Sequence, residues 1–305
     1  VHNVPVNVRA TGGDLIFFGG ELKPSGPPRE IALPIIFLTV AAILACIGNG
    51  IAITFKKLKN LEAYQFDLIG SILGIAFFTL LSFLGATPIV WGVIVAAILI
   101  FTIRPQQLRQ IALTLIPLLI IVVTLGIESR DSNIIWTPYY KAETLDVAGL
   151  GADDVGAGVL VNGVPHWFQT AKYDLPIYQT VYERRADKTP ADDLLIIGAG
   201  SGNDVAVGLY EGAAHIDAVE IDRRLFEVAR DNHANRPYND PRVDVHINDG
   251  RAYLEQSNKQ WDLMILALPD SLTLVQGASS IRLESYLFTQ EAANSYREHL
   301  TENGV

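Results

Sequence analysis

The sequence has a single cysteine, Cys46. One cysteine forms no internal disulfide, so a disulfide-stapled scaffold is excluded and the redox compartment stays open. Positive charge is also scarce: 23 Lys and Arg face 33 Asp and Glu, for a formal net charge of −10. That balance argues against nucleic acid as a partner, because phosphate binding needs a basic face. His166, His215, His233 and His246 show no metal-ligand spacing, so no metal is assigned. The Gly-x-Ser-x-Gly elbow of a serine hydrolase is missing. No signal peptide with its cleavage site is evident.

Charge is almost absent from Ile31 to Ile127. Four apolar runs lie there: 31–55, 66–85, 88–103 and 110–127. Apart from Asp67 at an edge, none carries a charge inside. Helices of a soluble core nearly always keep a polar face, and these runs do not, so they are expected to be about four transmembrane helices in contact with lipid. Gly70 and Gly74 form a G-x-x-x-G pair, a pattern that serves close helix contact and also arises by chance in glycine-rich spans. Loops on one side hold Lys56, Lys57, Lys59, Arg104 and Arg109; Lys23, Arg29, Arg130 and Lys141 flank the other. That near-balance does not fix the orientation. A cofactor made in the cytoplasm favours a cytoplasmic C-terminal domain. Residues 1–30 read as a loop or the end of an upstream segment. The chain begins at Val1 without Met and stops at Asn303-Gly304-Val305, which resembles a turn and the first residue of another strand. The last domain is therefore expected to be truncated.

From Ile134 the composition shifts to β-branched and aromatic residues, and Asn162-Gly163 is a hairpin signal. Residues 134–170 are expected to form a small antiparallel β-subdomain. A helix is expected from about Pro176. Strands then alternate with helices through residues 171–305: Leu194–Ile197, His215–Glu220, Arg242–Ile247 and Trp261–Leu268, with helices including Arg223–His233 and Leu283–Leu300. This is the pattern of a doubly wound, Rossmann-like α/β sheet, whose ligands sit at the carboxyl ends of the strands.

Four candidate ligand groups fall at such ends. The first is the loop Gly198-Ala-Gly200-Ser201-Gly202, where glycines let backbone N–H groups approach a ligand. Asn203 stands where a dinucleotide fingerprint has its third glycine, which favours a nucleoside without a pyrophosphate. The second is Glu220, followed by Asp222, placed to accept from ribose hydroxyls; its alternative is a solvated acid at a strand end. The third is Asp249-Gly250, either an acceptor for an adenine amine or a helix N-cap. The fourth is Asp270, facing a cationic substrate or simply a turn residue after Pro269.

From about Trp136 onward these residues resemble the spermidine synthases, aminopropyltransferases with the fold of class I S-adenosylmethionine-dependent methyltransferases. The resemblance is carried by Leu160-Val-Asn-Gly163-Val164, Tyr178-Gln179, Gly198 to Gly202, Val219-Glu220-Ile-Asp222 and Asp249-Gly250 with Tyr253-Leu254. The apolar runs resemble the membrane-fused members of that group. The resemblance implies decarboxylated S-adenosylmethionine, or S-adenosylmethionine, as co-substrate and a small amine as acceptor, with a homodimer as a candidate assembly. It implies cofactor contacts from Gly198, Gly200, Ser201, Gly202, Glu220, Asp222, Asp249 and Gly250. It places His166, Tyr178, Gln179 and Asp270 at the substrate, with Asp270 and Tyr178 in catalytic positions. Three positions depart from the family: Ala267 stands for the acid that activates the amine, Ser201 for the acid of the glycine loop, and His166 for a glutamine. The departure at Ala267 keeps two other readings open, a methyltransferase on another acceptor and a nucleoside-binding membrane sensor or transporter domain.

Overall fold

The computed structural model describes residues 29–146, 155–162, 164–185, 189–267 and 283–305. Gly163 and Asp270 lie outside the described residues. The chain divides into two compact units, with the boundary after Ser132.

The first unit contains four helices, α1 (Arg29–Phe55), α2 (Asn60–Phe83), α3 (Pro88–Ile103) and α4 (Leu108–Glu128). Their apolar side chains are largely exposed, with Phe37, Ile75 and Phe101 each about 70% accessible. Three of them, α1, α2 and α4, are long and apolar enough to cross a membrane. The fourth, α3, is apolar but shorter. Its 16 residues rise only about 24 Å, short of a hydrocarbon core of about 30 Å. α2 also begins six residues before the expected run, at Asn60, because its polar first turn continues the helix without contributing apolar signal.

Close helix packing occurs between α3 and α4 rather than at the G-x-x-x-G pair. A Cβ at Gly92 would sit 2.6 Å from Leu125 Cδ1, and one at Gly126 would sit 3.1 Å from Ile89 Cδ1. The Ile89 N–H also donates to Ser129 Oγ at 3.1 Å. Gly70 and Gly74 have no neighbour within 4 Å of their Cβ positions.

The second unit has two four-stranded sheets. The antiparallel sheet orders β1 (Ile134–Trp136), β2 (Lys141–Asp146), β3 (Val155–Val161) and β4 (Val164–Thr170) consecutively. Asn162 takes a left-handed conformation, φ 51°, at the β3–β4 turn. After α5 (Pro176–Arg184) comes a parallel sheet in the order β7-β6-β5-β8, formed by β5 (Asp193–Ile197), β6 (His215–Glu220), β7 (Val243–Ile247) and β8 (Leu263–Leu266). The order places β6 and β7 on one side of β5 and β8 on the other. The chain thus reverses direction across the sheet at β5, the position where such sheets open a ligand crevice.

Helices α6 (Asn203–Tyr210), α7 (Arg223–Asn232), α8 (Gly250–Gln256) and α9 (Gln290–Glu298) complete the unit. Leu194, Leu195, Ile196 and Ile197 are buried on both faces of β5. Each contributes about 1.5–3 kcal/mol of apolar burial. The expected helix Leu283–Leu300 is interrupted. Leu283–Phe288 is a 3-10 turn, and Thr289 then caps α9 by accepting from the Ala292 N–H. Val305 exchanges backbone hydrogen bonds with Asp262 and Met264 alongside β8.

Asp217 on β6 is a buried acid with a full set of donors. His246, Tyr253, Lys259 and the Trp261 indole all donate to it, at 2.7–3.2 Å. Burial opposes its charge, but these bonds outweigh burial and hold the carboxyl at about 2. His215 and Asp244 come close enough to Asp217 to form a three-ligand cluster that the sequence spacing does not reveal. Both Asp217 oxygens are already committed to the donors above.

Candidate functional site

The glycine loop joins β5 to α6. Gly198, Gly200 and Gly202 all have positive φ, at 80°, 37° and 86°. An L side chain is strained in that region, so the backbone itself requires glycine at each position. Glu220, at the end of β6, fastens the loop. Its Oε2 accepts from Gly200 N–H and its Oε1 from Asp222 N–H, both at 2.9 Å. A carboxylate has about four acceptor positions, so capacity remains for a diol. Burial raises the Glu220 pKa to about 6, against the lowering effect of the two N–H groups.

The loop carbonyls are held from outside. Tyr238 Oη lies 3.0 Å from Ala199 O and 3.1 Å from Gly200 O. Gln169, 1% exposed, donates to Ser201 O and Ala229 O and accepts from Ala157 N–H. Neither residue was apparent from sequence, because their contacts join positions far apart in the chain.

Asn203 explains the missing third glycine. Its Nδ2 donates to Phe168 O and Tyr178 Oη, each at 2.8 Å. Its Oδ1 accepts from Thr170 N–H at 3.1 Å and meets His233 Nε2 at 3.2 Å. One buried amide therefore ties the start of α6 to β4, α5 and the end of α7. Asn203→Ala would remove the side-chain partner of the Thr170 N–H and of the Phe168 carbonyl, each bond contributing about 0.5–1.5 kcal/mol. A thermal melt of this variant is expected to fall by several degrees; an unchanged transition would contradict the clamp.

Other expected site residues have local duties. Ser201 Oγ accepts from Asn203 N–H and is buried. Asp222 caps α7, accepting from Arg224 N–H and Leu225 N–H. Asp249 caps α8, accepting from Ala252 N–H at 2.8 Å. Gly250 leaves no space for a Cβ, which would collide with Ile197 Cγ2. It is thus required for helix–strand packing.

Tyr178 and Gln179 separate. Tyr178 reaches the start of α6 through Asn203. Gln179 donates to Tyr173 O and to Glu211 Oε1 just beyond the end of α6. There it lines a cavity of about 220 Å³ together with Tyr182, Arg185 and Glu211. His166 lies beside Tyr140, with ring centroids 6.1 Å apart, and burial lowers its pKa to about 4. The turn before β2 adds two phenols that the sequence did not single out. Burial raises the Tyr139 and Tyr140 pKa values, and the charges of Glu220 and Asp222 raise them further. The turn therefore sits against the acids at the end of β6.

The structure thus brings together the glycine loop, the strand-end acid Glu220 and, after the next strand, Asp249, at the carboxyl ends of the parallel strands where such sheets take their ligands. Residues 185–305 match the spermine/spermidine synthase domain. This synthase-like segment contains the loop, Glu220, Asp249 and Ala267. The chain is 31% identical over 116 residues to a polyamine aminopropyltransferase of Alkaliphilus metalliredigens, covering 37% of this chain and 38% of that protein. It is 27% identical over 175 residues to one from Pectobacterium carotovorum, covering 54% and 58%. The chain thus spans less than two thirds of the length of these relatives. Spermidine synthase from Thermotoga maritima aligns with a TM-score of 0.41 at 19% identity, over 54% of this chain and 52% of that one.

Proposed function

We propose that the chain is a membrane-anchored, spermidine-synthase-like transferase. The match of the loop-bearing segment to the synthase domain carries this reading. Decarboxylated S-adenosylmethionine would lie over the glycine loop, with its ribose at Glu220 and its adenine toward Asp249. A neutral amine nitrogen attacks the carbon next to the sulfonium. The C–N bond forms as the C–S bond breaks, and the electron pair passes to sulfur, giving methylthioadenosine. The extra proton on nitrogen leaves to solvent or a nearby base. This chain's contribution is mainly to position the reactants. The long apolar helices support lipid contact, and the cytoplasmic origin of the cofactor supports a cytoplasmic face for the soluble unit.

Ala267 in place of the activating acid favours a second reading, methyl transfer from S-adenosylmethionine to another acceptor. The test uses purified protein in detergent, given decarboxylated S-adenosylmethionine and putrescine. Spermidine and methylthioadenosine are the expected products. Labelled methyl transfer without spermidine would establish the second reading, and binding without turnover would mark a sensor domain.

A further inference from the structure

We propose that His215, Asp217 and Asp244 bind a divalent transition-metal ion, with Zn²⁺ as the best match, at the end of β6 opposite the glycine loop. The parallel register builds this site. Asp217 on β6 pairs with Asp244 on β7. Side chains alternate along a strand, and paired residues of neighbouring strands share a face. His215 and Asp217 therefore stand beside Asp244 and His246 on one surface. His215 Nε2 lies 3.5 Å from Asp217 Oδ1 and 3.7 Å from Asp244 Oδ2. One donor atom from each of the three residues lies within 4.8 Å of the others. A tetrahedral zinc with bonds of about 2.0–2.1 Å holds its ligand atoms about 3.3–3.4 Å apart. Two of the separations already approach that spacing. The Asp244 side chain is 67% exposed, so it has room to turn and close the third.

Asp217 is oriented as a metal-bound carboxylate requires. Its Oδ2 accepts from the Trp261 indole at 2.7 Å and from Lys259 Nζ at 2.9 Å. Lys259 is itself shared with Asp193 on β5. These outer partners fix the carboxylate and turn Oδ1 toward His215. Oδ1 also meets His246 Nε2 at 3.0 Å and Tyr253 Oη at 3.2 Å, and those two atoms lie 3.2 Å from each other. With the His246 proton on Nδ1, Nε2 accepts from the Tyr253 hydroxyl instead, and Oδ1 is released to a metal. One imidazole nitrogen and two carboxylate oxygens suit zinc better than calcium or magnesium, which take oxygen ligands. Three protein ligands leave a fourth position for water, and the exposed Asp244 side gives an entry path. Five residues of β6 separate His215 from Glu220, about 16 Å at the usual strand rise. The ion would therefore bind apart from the glycine loop, whether or not the transferase reading holds. Without a metal, a protonated His215 bridging two acids accounts for the same distances, and metal titration separates the two.

The test titrates Zn²⁺ by calorimetry into the full chain in detergent micelles, carrying no affinity tag and stripped beforehand with chelator. Saturable binding is expected, with a rise in melting temperature because the ion favours the folded state. Co²⁺ should give the visible absorption of a tetrahedral ion. Asp244→Asn and His215→Ala are each expected to weaken Zn²⁺ by at least about 10–100-fold, the range that loss of an outer partner alone produces. A melt in chelator checks that each variant is folded. If His215→Ala does not fold, Asp244→Asn decides, since its side chain is mostly in solvent. Absence of saturable Zn²⁺ binding to the wild type, or unchanged affinity in a folded variant, would refute the site and leave His215 as a bridge between two acids.

Discussion

Glu220→Ala is expected to weaken methylthioadenosine binding at pH 7.5 by at least about 100-fold, the loss of two charge-assisted hydrogen bonds. Two effects combine. The variant removes the acceptor for the ribose diol, and it releases the Gly200 and Asp222 N–H groups that shape the loop. Wild-type binding should also depend on pH. The Glu220 pKa lies at about 6, above its ordinary 4.5, chiefly through burial. Protonation converts an acceptor to a donor, so affinity should hold above pH 7 and fall as pH drops through 6. Titration calorimetry from pH 5 to 8 checks this, and a flat profile in wild type would contradict the role. The stability linkage has the opposite sign. For a raised acid, the stabilising contribution is fully present below 4.5 and is lost as pH rises through about 6. At neutral pH an ionised Glu220 therefore makes folding less favourable. Glu220 thus fastens the loop at some cost to stability at neutral pH, the pattern expected of the proposed ribose contact.

The alternation of strands and helices was legible because Leu194–Ile197 is a short apolar run that ends abruptly in glycine. A strand buried on both faces leaves that signature. The three loop glycines were legible for a related reason, since each needs a positive φ. The packing need for Gly250 was not legible, because sequence cannot distinguish a glycine needed for packing on Ile197 from one needed by a cofactor. The G-x-x-x-G pair was ambiguous in sequence for a similar reason: the pattern marks small residues, whereas close packing also needs a neighbouring helix, and Gly70 and Gly74 have none within 4 Å of their Cβ positions. The hydrogen bonds that fix the loop were not legible. Asn203 to Phe168, Gln169 to Ala229 and Tyr238 to Ala199 span more than 30 residues each, and no local periodicity encodes them. Thr289 shows the reverse case. An apolar-periodic stretch was expected to be one helix, yet a good N-cap within it restarts the helix at Gln290.

The second large effect is a gain. Ala267→Asp is expected to raise aminopropyl transfer by roughly 10²–10⁴-fold, the usual contribution of a positioned general base. Ala267 follows β8, and its N–H donates to Ile197 O at 2.9 Å, directly beside the residue that leads into the glycine loop. Its side chain packs against the cluster that includes Ala199. A carboxylate introduced there would be partly desolvated, and desolvation raises an acid's pKa toward the range where it accepts a proton from an amine effectively. The same desolvation should lower the melting temperature, so rate and stability should move in opposite directions. The effect belongs in kcat rather than in donor affinity, because the nucleoside contacts at Glu220 and the loop are untouched. Steady-state kinetics with putrescine, alongside a methylthioadenosine titration, separates the two. A higher kcat with unchanged donor binding would mean that the wild-type site holds its reactants in place but lacks the group that removes the proton. No increase, in a variant that still binds methylthioadenosine, would mean that the acceptor does not approach from the end of β8, and would favour methyl transfer to a different nucleophile.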